Sequence, residues 1–294
     1  MYPCSVFTDI FPHERNPIAM KPSNLAARNT PSAARTVKVL SILIAVSLVL
    51  ALLCSGWYSM SQNITATVKL DEVTLVQLEE PKEGDPAAIM HTTAGDMLFL
   101  LYPDECPLAV ENFTQLAKSG YYDNTYVFRV EQDVFFSGGS PNADGSLNEG
   151  GMDLPQENVV RELTPNMWPF RGALCSLTTG SDTNFWKLLT GTQKHYNGSR
   201  FLVVDSIEMT EEITNALMEG EEDNPVAKTF AELGGIPNYS QQLTVFGQLY
   251  EGYEILDAIT GTKLQGEENA MRPAEDILIT SVEIVAYSPA LMGN

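Results

Sequence analysis

Short apolar runs separated by turn residues fill the chain from residue 87 onward. The first two, Ala88–His91 and Met97–Leu101, flank the glycine-containing turn Thr93–Asp96, which predicts a β-hairpin. The later runs are equally short and rich in β-branched and aromatic residues. They predict strands at Tyr126–Val130, Val134–Phe136, Ala173–Leu177, Phe201–Val204, Leu243–Leu249 and Ile277–Val285.

Two segments of the same region follow helical spacing instead. After Asp104, which can cap a helix, apolar residues such as Ala109 and Phe113 recur at helical spacing up to Gly120. A shorter helix is predicted at Tyr253–Ile259. Many short strands with only two main helices indicate a closed antiparallel barrel plugged by helices, because closure leaves no strand edge exposed.

An uninterrupted apolar run, Val39–Trp57, precedes this body. Its 19 residues carry no charge, and at ~1.5 Å per residue they span about the ~30 Å hydrocarbon core of a bilayer. Residues 1–38 carry five Lys or Arg against two Asp or Glu. Because positive flanks stay in the cytoplasm, we predict a single-pass helix at 39–57 in the cell membrane, a basic cytoplasmic segment at 1–38 and an extracytoplasmic body. A buried core helix is the alternative, although it would normally show a polar stripe.

The apolar run is longer than the ~7–15-residue core of a cleaved signal peptide, which favours an uncleaved anchor. Cys54 raises the alternative of a lipoprotein, but Leu53 is large where the lipoprotein motif has a small residue. Met20 begins a second basic segment, so translation starting at Met1 or at Met20 stays open.

Residues 58–86 mix polar and acidic residues and end in a segment with Pro and Gly, so we predict a tether between membrane and body. The partly alternating stretch Val73–Leu78 allows the alternative of a short strand docked on the body. The body itself is predicted at 87–288.

Composition narrows the possible functions. The 294 residues include 17 Lys or Arg and 38 Asp or Glu, a net charge of −21, which excludes nucleic acid as a partner because its backbone would be repelled. A hydrophobic fraction of 44% supports a sizeable core and excludes wholesale disorder. Cys106 and Cys175 are interpreted as small core residues, with one disulfide between them as the alternative. No nucleophile elbow, phosphate loop or metalloprotease motif occurs, so we predict no metal and no cofactor.

Several motifs of the body match one enzyme family in order and spacing. VFRVEQDVFFSGGS contains a nine-residue step from Arg129 to Gly138, followed later by GSRFLV and LTVFGQLYEGYEILDAI. These segments stand where cyclophilins have Phe-His-Arg-Val with Gln-Gly-Gly-Asp, Gly-Ser-Gln-Phe-Phe-Ile, and His-x-Val-Phe-Gly with the last helix. From residue 87 to 286 the chain therefore resembles the cyclophilin-type peptidyl-prolyl cis-trans isomerases, of a membrane-anchored bacterial type. The resemblance implies a mainly β fold, a closed antiparallel eight-stranded barrel with two plugging helices.

The resemblance also implies site residues. Arg129 occupies the position of the catalytic arginine, although a surface arginine at a strand end is the alternative. The implied substrate-binding positions are Val134, Phe135, Ser137, Thr178, Thr179, Arg200, Leu202 and Leu243. Val134 and Phe135 have ordinary barrel core as their alternative. At several positions the resemblance implies a polar residue that this chain lacks. Phe128 occupies the position of a His, Ser137 that of a Gln, and Leu243 that of a His in the pocket.

We therefore expect a monomeric peptidyl-prolyl cis-trans isomerase of reduced activity that acts on proline-containing segments of unfolded or exported proteins. The alternative is a catalytically inactive cyclophilin-like module that binds proline peptides at the cell surface. Insertions near 185–197 and 205–239 interrupt the resemblance. The first is expected to cover the groove as a lid or plug, and the second to contain a helix beginning at Pro225.

Overall fold

A computed structural model describes residues 37–38, 40–42, 44, 47, 68, 72–147, 159–182, 187, 193–218, 224–266 and 271–291. The chain divides into two compact units, Met1–Gln62 and Asn63–Asn294. In the first unit, the described residues between 37 and 47 are helical. Within the described residues no helix has the length and apolar character needed to cross a membrane. Most of the predicted membrane segment 39–57 lies outside them.

The described residues of the second unit form one antiparallel sheet with the strand path β3-β10-β1-β2-β9-β7-β8-β5-β4, and β6 pairs with β8 beside it. The ten strands are β1 (Pro86–Thr92), β2 (Gly95–Leu101), β3 (Thr125–Tyr126), β4 (Arg129–Glu131), β5 (Phe135–Gly138), β6 (Val159–Val160), β7 (Ala173–Ser181), β8 (His195–Val204), β9 (Thr244–Glu251) and β10 (Leu278–Ala286). The predicted hairpin is confirmed by the pairing of β1 with β2, and the other predicted strands are present with shifted ends.

The sheet curls into a half-barrel. The strands at its two ends, β3 and β4, follow each other along the chain, and beside them the Tyr126 N–H donates to the Ser140 carbonyl oxygen at 2.8 Å and the Phe128 N–H to the Ser137 carbonyl oxygen at 3.0 Å. Among the described residues β3 and β4 do not pair with each other, so the predicted closed barrel of eight strands is not confirmed. The strand number differs because Val127 and Phe128 interrupt the predicted strand Tyr126–Val130 and because β6 is added.

Side chains alternate between the two faces of the curled sheet, as the two-residue period of a strand requires. Phe136, Phe201 and Phe246 point inward and form the main core together with side chains from two helices. Phe135 and Leu202, their neighbours on β5 and β8, point outward into a second apolar cluster. The outer cluster positions the candidate site.

Four helices complete the described body, namely α1 (Pro107–Lys118), α2 (Glu211–Met218), α3 (Pro225–Leu233) and α4 (Tyr253–Thr260). The two predicted main helices, α1 and α4, are confirmed and pack their apolar faces into the inner core. The prediction of Asp104 as the cap was wrong. The N-cap residue is Cys106, and its side chain makes no capping hydrogen bond. The Glu162 carboxylate instead accepts hydrogen bonds from the N–H groups of Leu108 and Ala109, at 3.2 and 2.9 Å. A tertiary contact thus replaces the local cap.

The insertion near 205–239 contains α2, α3 and a 3-10 turn at Pro237–Tyr239. The predicted helix beginning at Pro225 is confirmed, and the Asn224 side chain caps it by accepting from the Ala227 N–H. Ile236 and Tyr239 from this insertion pack on the outer apolar cluster. The insertion therefore covers part of the outer face of the sheet.

Residues 72–80, predicted as part of the tether, contact the body. Val76–Leu78 form one 3-10 turn rather than the alternative short strand. The Gln77 side chain is buried there, and its amide donates to the Trp168 carbonyl oxygen at 2.9 Å and to Gln248 Oε1 at 2.8 Å. The Trp168 N–H donates back to Gln77 Oε1 at 2.6 Å. This part of the segment belongs to the folded unit.

We expect Gln77→Ala to lower the free energy of unfolding by about 2–3 kcal/mol, because the buried Trp168 N–H loses its acceptor. In a protein of this size that loss lowers Tm by about 4–12 °C. Thermal melts of the full chain measure the change, with Gln132→Ala, at an exposed turn residue, as the control. Equal melting temperatures for the two variants would contradict the docking of this segment.

Candidate functional site

A cleft of about 540 Å³ opens on the outer face of the half-barrel. It lies where β4, β5 and β8 run side by side, because Arg129 pairs with Ser137 and Ser137 pairs in turn with Leu202. Strand pairing therefore assembles positions that are more than seventy residues apart in the sequence.

The floor of the cleft is apolar. Phe135 and Leu202 are only 5% and 3% exposed, and both belong to the outer cluster with the half-buried Leu243. Tyr239 and Leu177 extend this surface, and the Tyr239 ring lies 6.4 Å from the Phe135 ring, centroid to centroid. These residues thus pack as core on the sheet and also form the floor of an open cleft. Phe135 is therefore both a core residue and a cleft residue.

Arg129 stands at the edge of this floor. Its guanidinium carbon lies 5.4 Å from the centroid of the Phe135 ring, a cation–π distance, and Nη2 lies 3.7 Å from the Glu131 carboxylate. The Arg129 side chain is 48% exposed, so it is held over the ring while its N–H groups remain accessible. The arrangement presents a planar cationic donor beside an apolar surface.

Polar groups that line the cleft come from β5 and β7. Ser137 is buried at the base of the cleft, opposite Arg129 in the strand register. The Thr178 hydroxyl donates to Asn197 Oδ1 at 3.4 Å, and the Asn197 amide donates to the Thr244 hydroxyl at 2.8 Å. The Thr178 side chain is therefore held in place by a hydrogen-bonded chain that reaches β9.

Arg200 forms one side of the cleft. Its Nη1 donates to the Gly145 carbonyl oxygen at 2.9 Å, while Nε is buried and has no hydrogen-bond partner among the described residues. Gly145 has a φ of +78°, and a Cβ there would meet the Phe128 ring at 2.4 Å. Only glycine fits this position, so the Phe128 ring and the Gly145 loop pack against each other beside Arg200.

The structure brings together most of the predicted site residues. Those that line the cleft are Arg129, Phe135, Ser137, Thr178, Arg200, Leu202 and Leu243. Val134 and Thr179 do not line it. Val134 packs into the outer cluster, and its carbonyl oxygen accepts from the Asp205 N–H, while the Thr179 hydroxyl donates to the Tyr196 carbonyl oxygen.

Sequence reasoning missed Arg161, Gln241 and Gln242, which also line the cleft. Arg161 follows the two-residue strand β6, which is too short to give a sequence signal, and its Nη1 donates to the Gln242 carbonyl oxygen at 2.8 Å. Gln241 has a φ of +56°, a turn conformation that its residue type does not indicate.

The insertion predicted as a lid, Phe185–Asn197, is described only at 187 and from 193 onward. Its last three residues, His195–Asn197, belong to β8. The apolar residues of the insertion lie outside the described residues, namely Phe185, Trp186, Leu188 and Leu189.

Among the described residues, no group of three His, Cys, Asp or Glu side chains is placed to hold a metal ion. Cys106 and Cys175 are free and buried, which confirms them as core residues, and burial raises the pKa of the Cys106 thiol to about 12. Both thiols therefore stay protonated and unreactive near neutral pH.

Comparisons with known proteins agree with this geometry. The family model "Cyclophilin type peptidyl-prolyl cis-trans isomerase/CLD" matches residues 87–284. A Staphylococcus haemolyticus protein is 35% identical over 206 residues, covering 70% of this chain and 94% of its own length. A Staphylococcus saprophyticus protein is 38% identical over 197 residues, covering 67% of this chain and 90% of its own. Both are provisionally named peptidyl-prolyl cis-trans isomerases.

A solved structure shows the same fold. The crystal structure of a Cryptosporidium parvum cyclophilin type peptidyl-prolyl cis-trans isomerase aligns with a TM-score of 0.50 and 21% identity, covering 69% of this chain and 99% of that one. The extent of the family match and the identity to the staphylococcal proteins establish more than the fold. This chain belongs to the cyclophilin-type peptidyl-prolyl cis-trans isomerase family.

Proposed function

We propose that the chain is a peptidyl-prolyl cis-trans isomerase whose activity is reduced, and that the cleft at Arg129 is its active site. The observation that carries the proposal is the position of the Arg129 guanidinium, stacked on Phe135 beside an apolar floor of the kind that accepts a prolyl ring. Proline-containing segments of unfolded or exported proteins are the proposed substrates.

The chemistry requires little beyond this arrangement. The prolyl C–N bond has a rotation barrier of ~18–20 kcal/mol because of its partial double-bond character. Arg129 donates a hydrogen bond to the prolyl nitrogen as that atom becomes pyramidal, which weakens the resonance and lowers the barrier. The apolar floor holds the ring and excludes water, which strengthens the electrostatic contribution. No acid, base, nucleophile or metal is needed.

Reduced activity follows from the polar groups that are replaced. Phe128, Ser137 and Leu243 stand at positions where the family resemblance implies His, Gln and His. A lost orienting hydrogen bond costs about 1–3 kcal/mol, so two or three losses lower the rate by roughly 10²-fold or more. If the isomerase activity is lost completely, the domain is a module that binds proline-containing peptides, which is the second candidate function.

A protease-coupled assay of an X-Pro peptide with the full chain tests the proposal. We expect isomerisation above the uncatalysed exchange, which takes tens of seconds or more. Peptide binding at the cleft without any gain in rate favours the binding module, and neither binding nor catalysis refutes both functions.

Restoring polar groups should raise the rate. We expect the double variant Leu243→His and Ser137→Gln to increase kcat/KM at least ~10-fold, since each restored hydrogen bond recovers about 1–3 kcal/mol of orientation. Leu243→Phe is the control, because it changes the size of the same side chain without adding a polar group. An unchanged rate in the folded double variant would show that missing polar groups do not limit catalysis.

We also propose that residues 39–57 anchor the chain in the cell membrane with the cyclophilin domain outside. The support is the uncharged 19-residue run and the charge difference between its flanks, five Lys or Arg against two acids before the run and a strongly acidic body after it. Protease added to intact spheroplasts should digest the body, with a cytoplasmic protein as the control. A body protected until the membrane is lysed would refute the proposed orientation.

A further inference from the structure

The cleft is positively charged in a strongly negative protein. The chain carries a net charge of −21, yet the residues that line the cleft include Arg129, Arg161 and Arg200 and, among those that the structure describes, no Asp or Glu. An isomerase needs one arginine at the prolyl amide. The other two therefore call for a separate explanation.

Arg161 and Arg200 have no carboxylate partner within the described part of the chain. Each donates one hydrogen bond from Nη1 to a main-chain carbonyl oxygen, that of Gln242 for Arg161 and that of Gly145 for Arg200. Arg129 differs from them, since its Nη2 lies 3.7 Å from the Glu131 carboxylate. The guanidinium charges of Arg161 and Arg200 are thus not neutralised by any carboxylate among the described residues.

Both arginines have donors left over for a ligand. A guanidinium has five N–H donors, of which the described contacts use one in Arg161 and one in Arg200. Arg200 Nε is buried and finds no acceptor among the described residues. Burial also lowers the pKa of the Arg161 guanidinium, so an anion bound beside it would offset the electrostatic cost of that burial.

The two arginines flank the apolar floor. Arg200 lies two residues before Leu202 on β8, which places both on the same face of the strand, about 7 Å apart along it. Arg161 is held at the carbonyl oxygen of Gln242, which immediately precedes Leu243. An extended peptide advances about 3.3–3.6 Å per residue, so side chains within about two residues of a bound proline reach these arginines.

We propose that the cleft selects proline-containing segments that carry an Asp or Glu side chain within about two residues of the proline. This inference rests on the proposed function of the cleft and names its substrate class. Arginine suits the task because its planar fork matches the two oxygens of a carboxylate. The net charge of −21 would otherwise repel such segments, and the two arginines offset that repulsion locally.

Peptides that differ in one charge test the inference. Two series carry Glu, Gln or Lys at one position, two residues before the proline in one series and two residues after it in the other. Exchange NMR with the full chain gives kcat/KM for each peptide. We expect Glu to exceed Lys by at least ~10-fold in one series, with Gln between them, and the ratio to shrink as salt rises from about 0.02 to about 0.5 M.

Variants on two different elements locate the effect. Arg200→Gln and Arg161→Gln should each lower the ratio of Glu to Lys to below about 3-fold, as expected when one close charge pair is lost. Lys118→Gln, which removes an exposed charge outside the cleft, should leave the ratio unchanged. Equal rates for Glu, Gln and Lys, or a ratio that both arginine variants retain, would overturn the inference.

Failure of the proposed function gives a different result. If no peptide is isomerised, the binding constants of the same peptides decide the matter. A preference of ~10-fold or more for Glu over Lys that Arg200→Gln abolishes supports the selection of acidic segments by a binding module. Equal affinities overturn it.

Discussion

We expect Arg129→Ala to lower kcat/KM for an X-Pro peptide at least ~10-fold, which corresponds to about 1.4 kcal/mol of transition-state stabilisation. The change removes the donor that stands over Phe135 at the edge of the apolar floor. Arg129→Lys should cause a similar loss, because an ammonium keeps the charge but lacks the planar fork that can contact the prolyl nitrogen and a carbonyl together.

The free energy of unfolding distinguishes a loss of catalysis from a loss of folded protein in these variants. The Arg129 side chain is about half exposed, and its nearest acid is 3.7 Å away at Glu131, so we expect either variant to change the free energy of unfolding by less than about 1 kcal/mol. Arg272→Lys is the control, since that arginine pairs with Asp276 and does not line the cleft. Full activity in both Arg129 variants would remove Arg129 from the mechanism.

We expect Asp205→Ala to lower the free energy of unfolding by about 3 kcal/mol, and Tm by about 6–12 °C. Asp205 is buried at the end of β8, where Oδ1 accepts from Arg171 Nε at 2.8 Å and Oδ2 accepts from the Thr260 hydroxyl at 2.7 Å. Arg171 also pairs with Asp257 on α4. Asp205 therefore ties the sheet to the helix that closes one end of the core.

Removing the Asp205 carboxylate leaves the Thr260 hydroxyl and part of the Arg171 guanidinium without this partner in a low-dielectric site. Thermal melts of the full chain measure the loss. Asp276→Ala, which removes an exposed carboxylate paired with Arg272, should cost less than about 1 kcal/mol. If the two aspartate variants melt at the same temperature, the buried network does not stabilise the fold as described.

Local patterns predicted most elements of the fold, but not β6 or α2. The β1–β2 hairpin, helices α1, α3 and α4 and most strands follow from apolar periodicity and turn residues. The cap of α1 was mispredicted because Glu162 reaches it from a distant part of the chain. The docking of Gln77 was missed for the same reason, since its partners Trp168 and Gln248 are remote in sequence.

The part of the candidate site that lies in segments resembling the family could be predicted, because a matched segment implies which strand positions face the cleft. Phe135, Leu202 and Leu243 fall in segments that match the family, and β5, β8 and β9 bring them to one face. Arg161 belongs to no motif and enters the cleft through tertiary contacts with His195 and Gln242. The sequence thus predicted two of the three arginines of the cleft, and the structure adds Arg161.

A crystal structure of the full chain with a saturating Ala-Pro-containing peptide is the most direct test of the proposed site. We predict that the prolyl ring lies on Phe135, Leu202 and Leu243, with an Arg129 N–H about 3 Å from the prolyl amide. A second cleft, lined by Tyr102, Asp85 and Glu105 among others, provides an internal comparison. A peptide bound there, or bound in the first cleft with Arg129 turned away from its proline, would refute the proposed active site.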